Sequence, residues 1–389
     1  SAEVMRDKIF GAGAVQPYES LTSYYKRSSH GKLNIQGEVL GWYKAGRRAD
    51  VSETKAGREK LIARALASYS KHDFSRYDSD GDGEIDYLAV IWTGPRGAWA
   101  SFWWGMKTYF SDKSLKAGSK TIGSYSWMTA ANSWSDPASL FGLNTLIHET
   151  AHALGLPDYY DYKPGVGPNG GLGFLDMMDA ARFDHNCFSK FLLGWVDPEI
   201  MTAGDFKLRP ASEFPECALL APPGWKRNPF SEYFLVENRR RSGNDADRAF
   251  PGEGLLVWHV DARLNPAGNG FLYDNSFTEH KLLKLMEADG LEEIETVEKY
   301  FVTQDDFYTD GRTLGPVTRP SSSLYDGTAV GLTLVSRGGA YEAAFSLSAP
   351  GEAATKSVAD DVYSAGPPVP TRPTGPGKVR LPSADEIRF

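Results

Sequence analysis

Cysteine is nearly absent: Cys187 and Cys217 are the only two in 389 residues. The fold therefore rests on no disulfide framework, and without a Cys-x-x-Cys or Cys–His pairing there is no thiolate metal site. A single bridge and two buried thiols both suit the pair. No apolar run is long enough to cross a bilayer. No long Lys/Arg run appears either, and the formal net charge is −8, which argues against nucleic acid as a partner. Residues 1–10 are charged throughout and do not read as a signal peptide, so the expectation is a processed or trimmed product. No internal repeat is evident. The length allows two or three domains with substantial cores.

What is present is concentrated in residues 139–161, SLFGLNTLIHETAHALGLPDYYD. His148 and His152 are four apart, so on a helix their imidazoles stack on one face one turn apart. That spacing suits two nitrogen ligands of one tetrahedral zinc, with Glu149 beside them as the base for a water. Gly155 can leave the helix with positive φ and turn the chain so that Asp158 supplies a third ligand. Three protein ligands leave one position open, as a catalytic zinc requires. A bare His-Glu-x-x-His arises by chance in roughly one chain in a hundred, and Gly155 and Asp158 lower that by about two further orders of magnitude. The competing reading is a core helix with incidental histidines. Leu140, Leu143, Leu146, Ile147, Ala151 and Leu154 bury such a helix, so the histidines need a reason to be inside.

Before this segment, residues 18–28 show helical spacing and 32–39 alternate like a strand. Residues 54–72 predict a helix with Leu61, Ile62, Ala65, Leu66 and Tyr69 on one side and Lys55, Arg58, Glu59 and Arg64 on the other. YDSDGDGEIDY at 77–87 follows. Asp78, Asp80 and Asp82, with Gly83 for the turn, match the first half of a calcium loop, with Glu84 (through its carbonyl) and Asp86 as further oxygens. Ala89 replaces the twelfth-position Glu, and 88–92 reads as a buried strand, so this is a calcium loop on a strand and no EF-hand. Trp99, Trp103, Trp104, Trp127 and Trp134 suit a substrate cleft or an ordinary core. Residues 124–130 suit an edge strand to which a peptide could add. Beyond the motif, Met178 suits an apolar turn under the ligands, and 188–195 a closing helix. From about Met201 short strands recur, at 218–221, 233–237, 255–260 and 282–286, with a hairpin at 331–336 and 341–347 turning at Gly338-Gly339. Glu237, Asn238, Arg239, His259 and Asp261 lie on these strands as structural hydrogen-bonding groups. Asp305, Asp306 and Asp310 form a weak candidate for a second cation site.

HETAHALGLPDYYD resembles the immune inhibitor A family of secreted bacterial metallopeptidases, a metzincin-like group with aspartate as third ligand. SYYKRSSHGKLNIQGEV, YDSDGDGEIDYLAVIW, EYFLVENRRR and FPGEGLLVWHVD extend the resemblance over roughly residues 20–347. It implies an α+β architecture: a metzincin-like zincin catalytic domain at 1–200, a β-rich sandwich-like domain at 201–349 and a Pro/Gly-rich tail at 350–389. It further implies a secreted zinc endopeptidase acting on protein or peptide substrates, with one zinc on His148, His152 and Asp158, Glu149 as general base, Met178 as the Met-turn, and calcium at Asp78 to Asp86. One departure matters. Astacin- and serralysin-type metzincins carry a tyrosine two residues after the Met-turn methionine, and here that position is Ala180. Tyr159, Tyr160 and His185 are the alternative oxyanion donors. The competing functions are a catalytically silent, calcium-stabilised binding module and a zinc hydrolase acting on a non-peptide substrate.

Overall fold

The computed structural model describes residues 2–12, 18–47, 52, 54–93, 105–130, 143–163, 165, 170–276 and 280–349. Trp99, Trp103, Trp104, Trp134, Leu140 and the 350–389 tail lie outside them. The chain is mixed α+β, with several sheets and few helices.

The first helices are α1 (Ala2–Phe10), α2 (Leu21–Ser28) and α3 (Lys55–Ser68). Side chains cap the last two: Ser20 accepts from the Ser23 amide at 3.0 Å and Thr54 from the Gly57 amide at 3.1 Å. A small sheet follows, made of β1 (Ala89–Trp92), β2 (Met106–Tyr109) and, beyond the short hairpin of β3 (Lys116–Ala117) and β4 (Lys120–Thr121), β5 (Ser124–Thr129). Next come α4 (Leu143–Ala153), α5 (Met177–Ala180) and α6 (Cys187–Leu192).

Three expectations change here. The strand at 124–129 is central, parallel to β1 and antiparallel to β2, which takes the edge. The reason is that both of its faces are buried: Tyr125 and Trp127 enter the core under α3, while Met128 enters the core that holds α4. Trp127 is thus a core residue, 5.8 Å from Trp92. Residues 32–39 join no ladder; their alternation is used to pack Leu33, Ile35 and Val39 on the main core. Arg58 is buried, not solvent-facing, because its Nε donates to the Tyr125 hydroxyl at 3.0 Å.

The second half contains β6 (Glu199–Ile200), β7 (Gly204–Leu208), β8 (Ala218–Leu220), β9 (Glu232–Arg239), β10 (Gly254–Asp261), β11 (Leu283–Leu285), α7 (Glu293–Thr296), β12 (Thr313–Leu314), β13 (Thr333–Gly338) and β14 (Ala343–Ser348). One sheet runs β11-β10-β9-β8-β6 and the other β12-β13-β14-β7. Side chains of β10 alternate between two cores. Leu256, Trp258 and Val260 pack with α4 and α6, whereas Leu255 and Val257 pack with Leu334, Phe345 and Leu347 of the second sheet. The five-stranded sheet is therefore a middle layer, and its hydrophobic contact with the first half is continuous across residue 200. Covered on both sides, β10 is buried at every position.

The polar residues on these strands bond within the interior, although Glu237 Oε2 is buried without a partner. Glu237 accepts from Trp258 Nε1 at 2.8 Å, Asn238 donates to the Leu208 carbonyl at 2.8 Å, and Arg239 Nε donates to Asp245 at 2.6 Å. His259 Nε2 lies 2.9 Å from Glu232, and Asp261 accepts from Arg263 Nε at 2.7 Å. Cys187 and Cys217 are buried free thiols, and Cys217 Sγ donates to the Ala218 carbonyl at 3.7 Å.

Within the first half, where it meets Ala211 and Arg239 of the second, Lys190 Nζ reaches Asp184 Oδ2 at 2.6 Å, both residues being buried. Burial alone would raise the Asp184 carboxyl, but Lys190 and Arg239 outweigh it and hold it well below the usual carboxylate range. Lys190→Met strands that carboxylate and is expected to destabilise by about 3–5 kcal/mol, read from urea unfolding. The gap from wild type is full at neutral pH. It shrinks as pH falls through the carboxylate range, because Asp184 of the variant takes up its proton first while the wild-type group, held low, stays charged. A gap independent of pH would show that the pair is not the cause.

Candidate metal centre

Helix α4 carries His148, Glu149 and His152 on a backbone anchored by buried Leu143, Leu146, Ile147 and Ala151. It ends at Gly155, whose φ of +101° belongs to the region that only glycine enters freely. The Leu156 amide bonds back to the Ala151 carbonyl at 3.0 Å, and the reversed chain delivers Asp158 beside the histidines. His148 Nδ1 donates to the Met177 carbonyl and His152 Nδ1 to the Leu156 carbonyl, each at 2.8 Å. A carbonyl can only accept, so both protons sit on Nδ1 and both Nε2 atoms present lone pairs.

Those two Nε2 atoms are 3.1 Å apart, and Asp158 Oδ1 lies 2.8 Å from one and 3.1 Å from the other. Asp158 is itself largely buried, 9% exposed. Its Oδ1 is buried without a hydrogen-bond donor. Three electron-pair donors thus converge in a desolvated space. Ligands about 2.05 Å from a tetrahedral ion lie about 3.3 Å apart, so the triangle matches a zinc-sized cation with two nitrogens and one oxygen. Asp158 Oδ2 is fixed by the Tyr162 hydroxyl at 2.9 Å. Tyr162 was not singled out from the sequence: four tyrosines and aspartates in a row, YYDY, leave open which ring faces the ligand.

The turn at Met177–Ala180 reaches the site through the Met177 carbonyl, bonded to His148. Met178 is fully buried in α5, and its carbonyl accepts from the Tyr159 amide at 2.8 Å. The Asp176 carboxylate caps the turn through the Met178 amide at 2.7 Å and the Asn186 amide at 2.8 Å. Asp179 accepts from the Phe174 amide at 2.6 Å. Burial pushes these two carboxyls up, to about 6 and about 7.

Glu149 is 4% exposed and its Oε2 has no partner. Burial pushes its carboxyl up to about 8, with His148 pulling down and Asp158 pushing up. Gly105, just before β2, lies over it. A Cβ there would be 2.5 Å from Thr145 Cγ2 and 3.2 Å from Glu149 Oε1, so only glycine lets the edge strand approach the helix this closely. Of the oxyanion candidates, Tyr159 points into the core and bonds the Ser189 hydroxyl at 2.8 Å. His185 is enclosed by Tyr24, Tyr25 and Trp195, and burial lowers it to about 3. Tyr160 alone is exposed beside Asp158, its hydroxyl kept protonated by burial and by that carboxylate.

In the acidic loop the fold brings Asp78, Asp80 and Asp86 together, with carboxylate oxygens within 4.8 Å of one another. Asp82 turns aside to accept from the Glu84 amide at 2.8 Å, and the Glu84 carboxylate packs over Gly123. Lys120, from β4, already pairs with Asp78 Oδ2 at 2.6 Å, while Asp78 Oδ1 is buried without a partner.

Since Tyr162 orients the third donor, Tyr162→Phe is expected to weaken zinc affinity by about 10–100-fold in a competition titration, with the far-UV spectrum unchanged. Unaltered affinity would mean that Asp158 needs no such support.

No family model and no solved structure matches this chain. Two records of the pre-pro-metalloprotease PrtV of Vibrio cholerae, from two serotype O1 strains, are each 26% identical to it over 188 aligned positions. The match covers 40% of this chain and 20% of that protein, so the chain spans about a fifth of the relative's length. The chain is thus distantly similar, over part of its length, to a metalloprotease precursor.

Proposed function

We propose that the chain is a zinc-dependent endopeptidase of the metzincin type, secreted, stabilised by calcium in the 78–86 loop, and related to the immune inhibitor A group. The observation that carries this reading is the convergence of His148 Nε2, His152 Nε2 and Asp158 Oδ1 next to an unpartnered, buried Glu149. A zinc ion held by those three atoms would supply Lewis acidity toward the scissile carbonyl. The work of the protein's own residues follows from their positions. Glu149 takes a proton from the attacking water and delivers it to the leaving amine; its raised affinity for protons suits both halves of that task. Among the described residues the outer edge of β2 pairs with no strand; held against α4 by Gly105, it offers main-chain hydrogen bonds to an extended peptide, which aligns the scissile bond over Glu149. Tyr160 donates to the oxyanion, a role Ala180 lacks the hydroxyl to fill. Among the described residues no helix is long and apolar enough to cross a membrane.

Incubation with denatured casein tests the reading. Cleavage is expected to stop on zinc chelation and in Glu149→Ala, with the variant still binding zinc. Casein left intact by the zinc-loaded wild type would favour a silent binding module, and activity retained in Glu149→Ala would overturn the mechanism. Tyr160→Phe is expected to lower kcat by about 100-fold or more at constant zinc content; an unchanged kcat would remove Tyr160 from the mechanism.

A further inference from the structure

A second cluster of acids lies away from the histidines. Glu287, Asp289 and Asp306 bring carboxylate oxygens within 4.8 Å of one another. Asp306 is one of three aspartates singled out in the sequence, but the fold separates it from the others: Asp305 is on the surface, 4.0 Å from Arg312, and Asp310 lies outside the cluster. Glu287 and Asp306 are 1% and 0% exposed, and Asp289 is half-buried.

Backbone groups aim these carboxylates without neutralising them. Glu287 accepts from the Glu293 amide at 2.6 Å and the Ile294 amide at 3.0 Å, and Asp289 from the Leu291 amide at 3.0 Å. Asp306 Oδ2 takes the Thr303 amide at 2.7 Å and the Tyr300 hydroxyl at 2.9 Å. Asp306 Oδ1 is different: it is buried with no donor at all. Among the described residues none of the three carboxylates enters an ion pair. An orphaned buried acceptor costs about 1–3 kcal/mol, more when charged. Burial raises Glu287 to about 7 and also raises Asp306, each further raised by neighbouring carboxylates, as an arrangement lacking its counterion would show.

We propose that Glu287, Asp289 and Asp306 bind a calcium ion that ties together the two ends of the 287–306 segment. The donors are all oxygen and come from turns, without nitrogen or sulfur, which suits a hard cation tolerant of irregular geometry and not a second zinc. The proposal stands apart from the peptidase reading and needs no zinc chemistry. Its structural consequence does reach the metal centre. The middle of the segment covers residues 172–174: the Val302 amide donates to the Gly173 carbonyl at 3.1 Å, and the Phe301 and Phe174 rings stack at 4.3 Å. Ile294 and Val302 share a core with Met177 and Met178. Calcium at the root of the segment thereby steadies the layer packed against the turn bonded to His148.

The test uses the full chain, zinc-loaded and freed of calcium, in an Asp78→Asn/Asp80→Asn background that removes the acidic loop. Terbium is the probe, since the Tyr300 hydroxyl on Asp306 places a sensitising ring at the site, and calcium is the competitor. One calcium-displaceable equivalent is expected. Asp306→Asn and, independently, the half-buried Asp289→Asn should each weaken it at least tenfold with unchanged circular dichroism, while Asp305→Asn leaves it alone. Absence of that equivalent in the background protein, or its survival in both Asp306→Asn and Asp289→Asn, would overturn the proposal.

Discussion

Two imidazole lone pairs and a carboxylate oxygen facing one another at 2.8–3.1 Å, out of water, repel unless a cation lies between them. The surrounding chain is arranged to hold them there regardless. The carbonyls of Met177 and Leu156 fix both tautomers, Tyr162 fixes the second carboxylate oxygen, and Gly155 bends the chain that carries Asp158. Three of these supports lie in residues 155–162 and the fourth, Met177, comes from α5, so the arrangement depends on α5 staying against α4. Asp176 secures that contact by capping α5 and binding Asn186 at the start of α6.

Behind these helices stands the middle sheet. Its strands β9 and β10 send alternate side chains into two cores, one shared with α4 and α6 and one shared with the outer sheet. A fully buried Leu or Trp side chain contributes about 1.5–3 kcal/mol, and Leu256, Trp258 and Val260 all face the helical side. The β-rich half thus shares its core with the helix that carries His148 and His152. The polar side chains on its strands, Glu237, Asn238 and Arg239 among them, are there to bond one another and the backbone across the interior.

Much of the candidate site was legible in the sequence because its spacing is short and helical. Positions 148, 149 and 152 are bound to share a region of one helix, and Gly155 marks where that helix ends. Strands from 218 onward and the Gly338-Gly339 hairpin were legible from period and turn residues. What escaped notice involved partners distant in the chain or a choice of face. Residues 124–129 read as an edge, yet both of their faces are buried and they sit between strands from 89–92 and 106–109. Arg58 read as solvent-facing, yet Tyr125 lies 67 positions away to receive it. Within YYDY, no pattern tells which hydroxyl meets Asp158.

By itself, then, the sequence determined the donor types, the helix that presents two of them, the acidic loop and the β-rich character of the second half, since all of these follow from local spacing and composition. The tertiary structure decided which strand is the edge, that Asp82 turns out of the acidic loop while Lys120 turns in, and that Tyr162 supports Asp158. It also decided that Asp306 joins Glu287 and Asp289 instead of Asp305 and Asp310. The physical reason is common to these cases: convergence of charge depends on which distant segments packing brings together, and no local period encodes it.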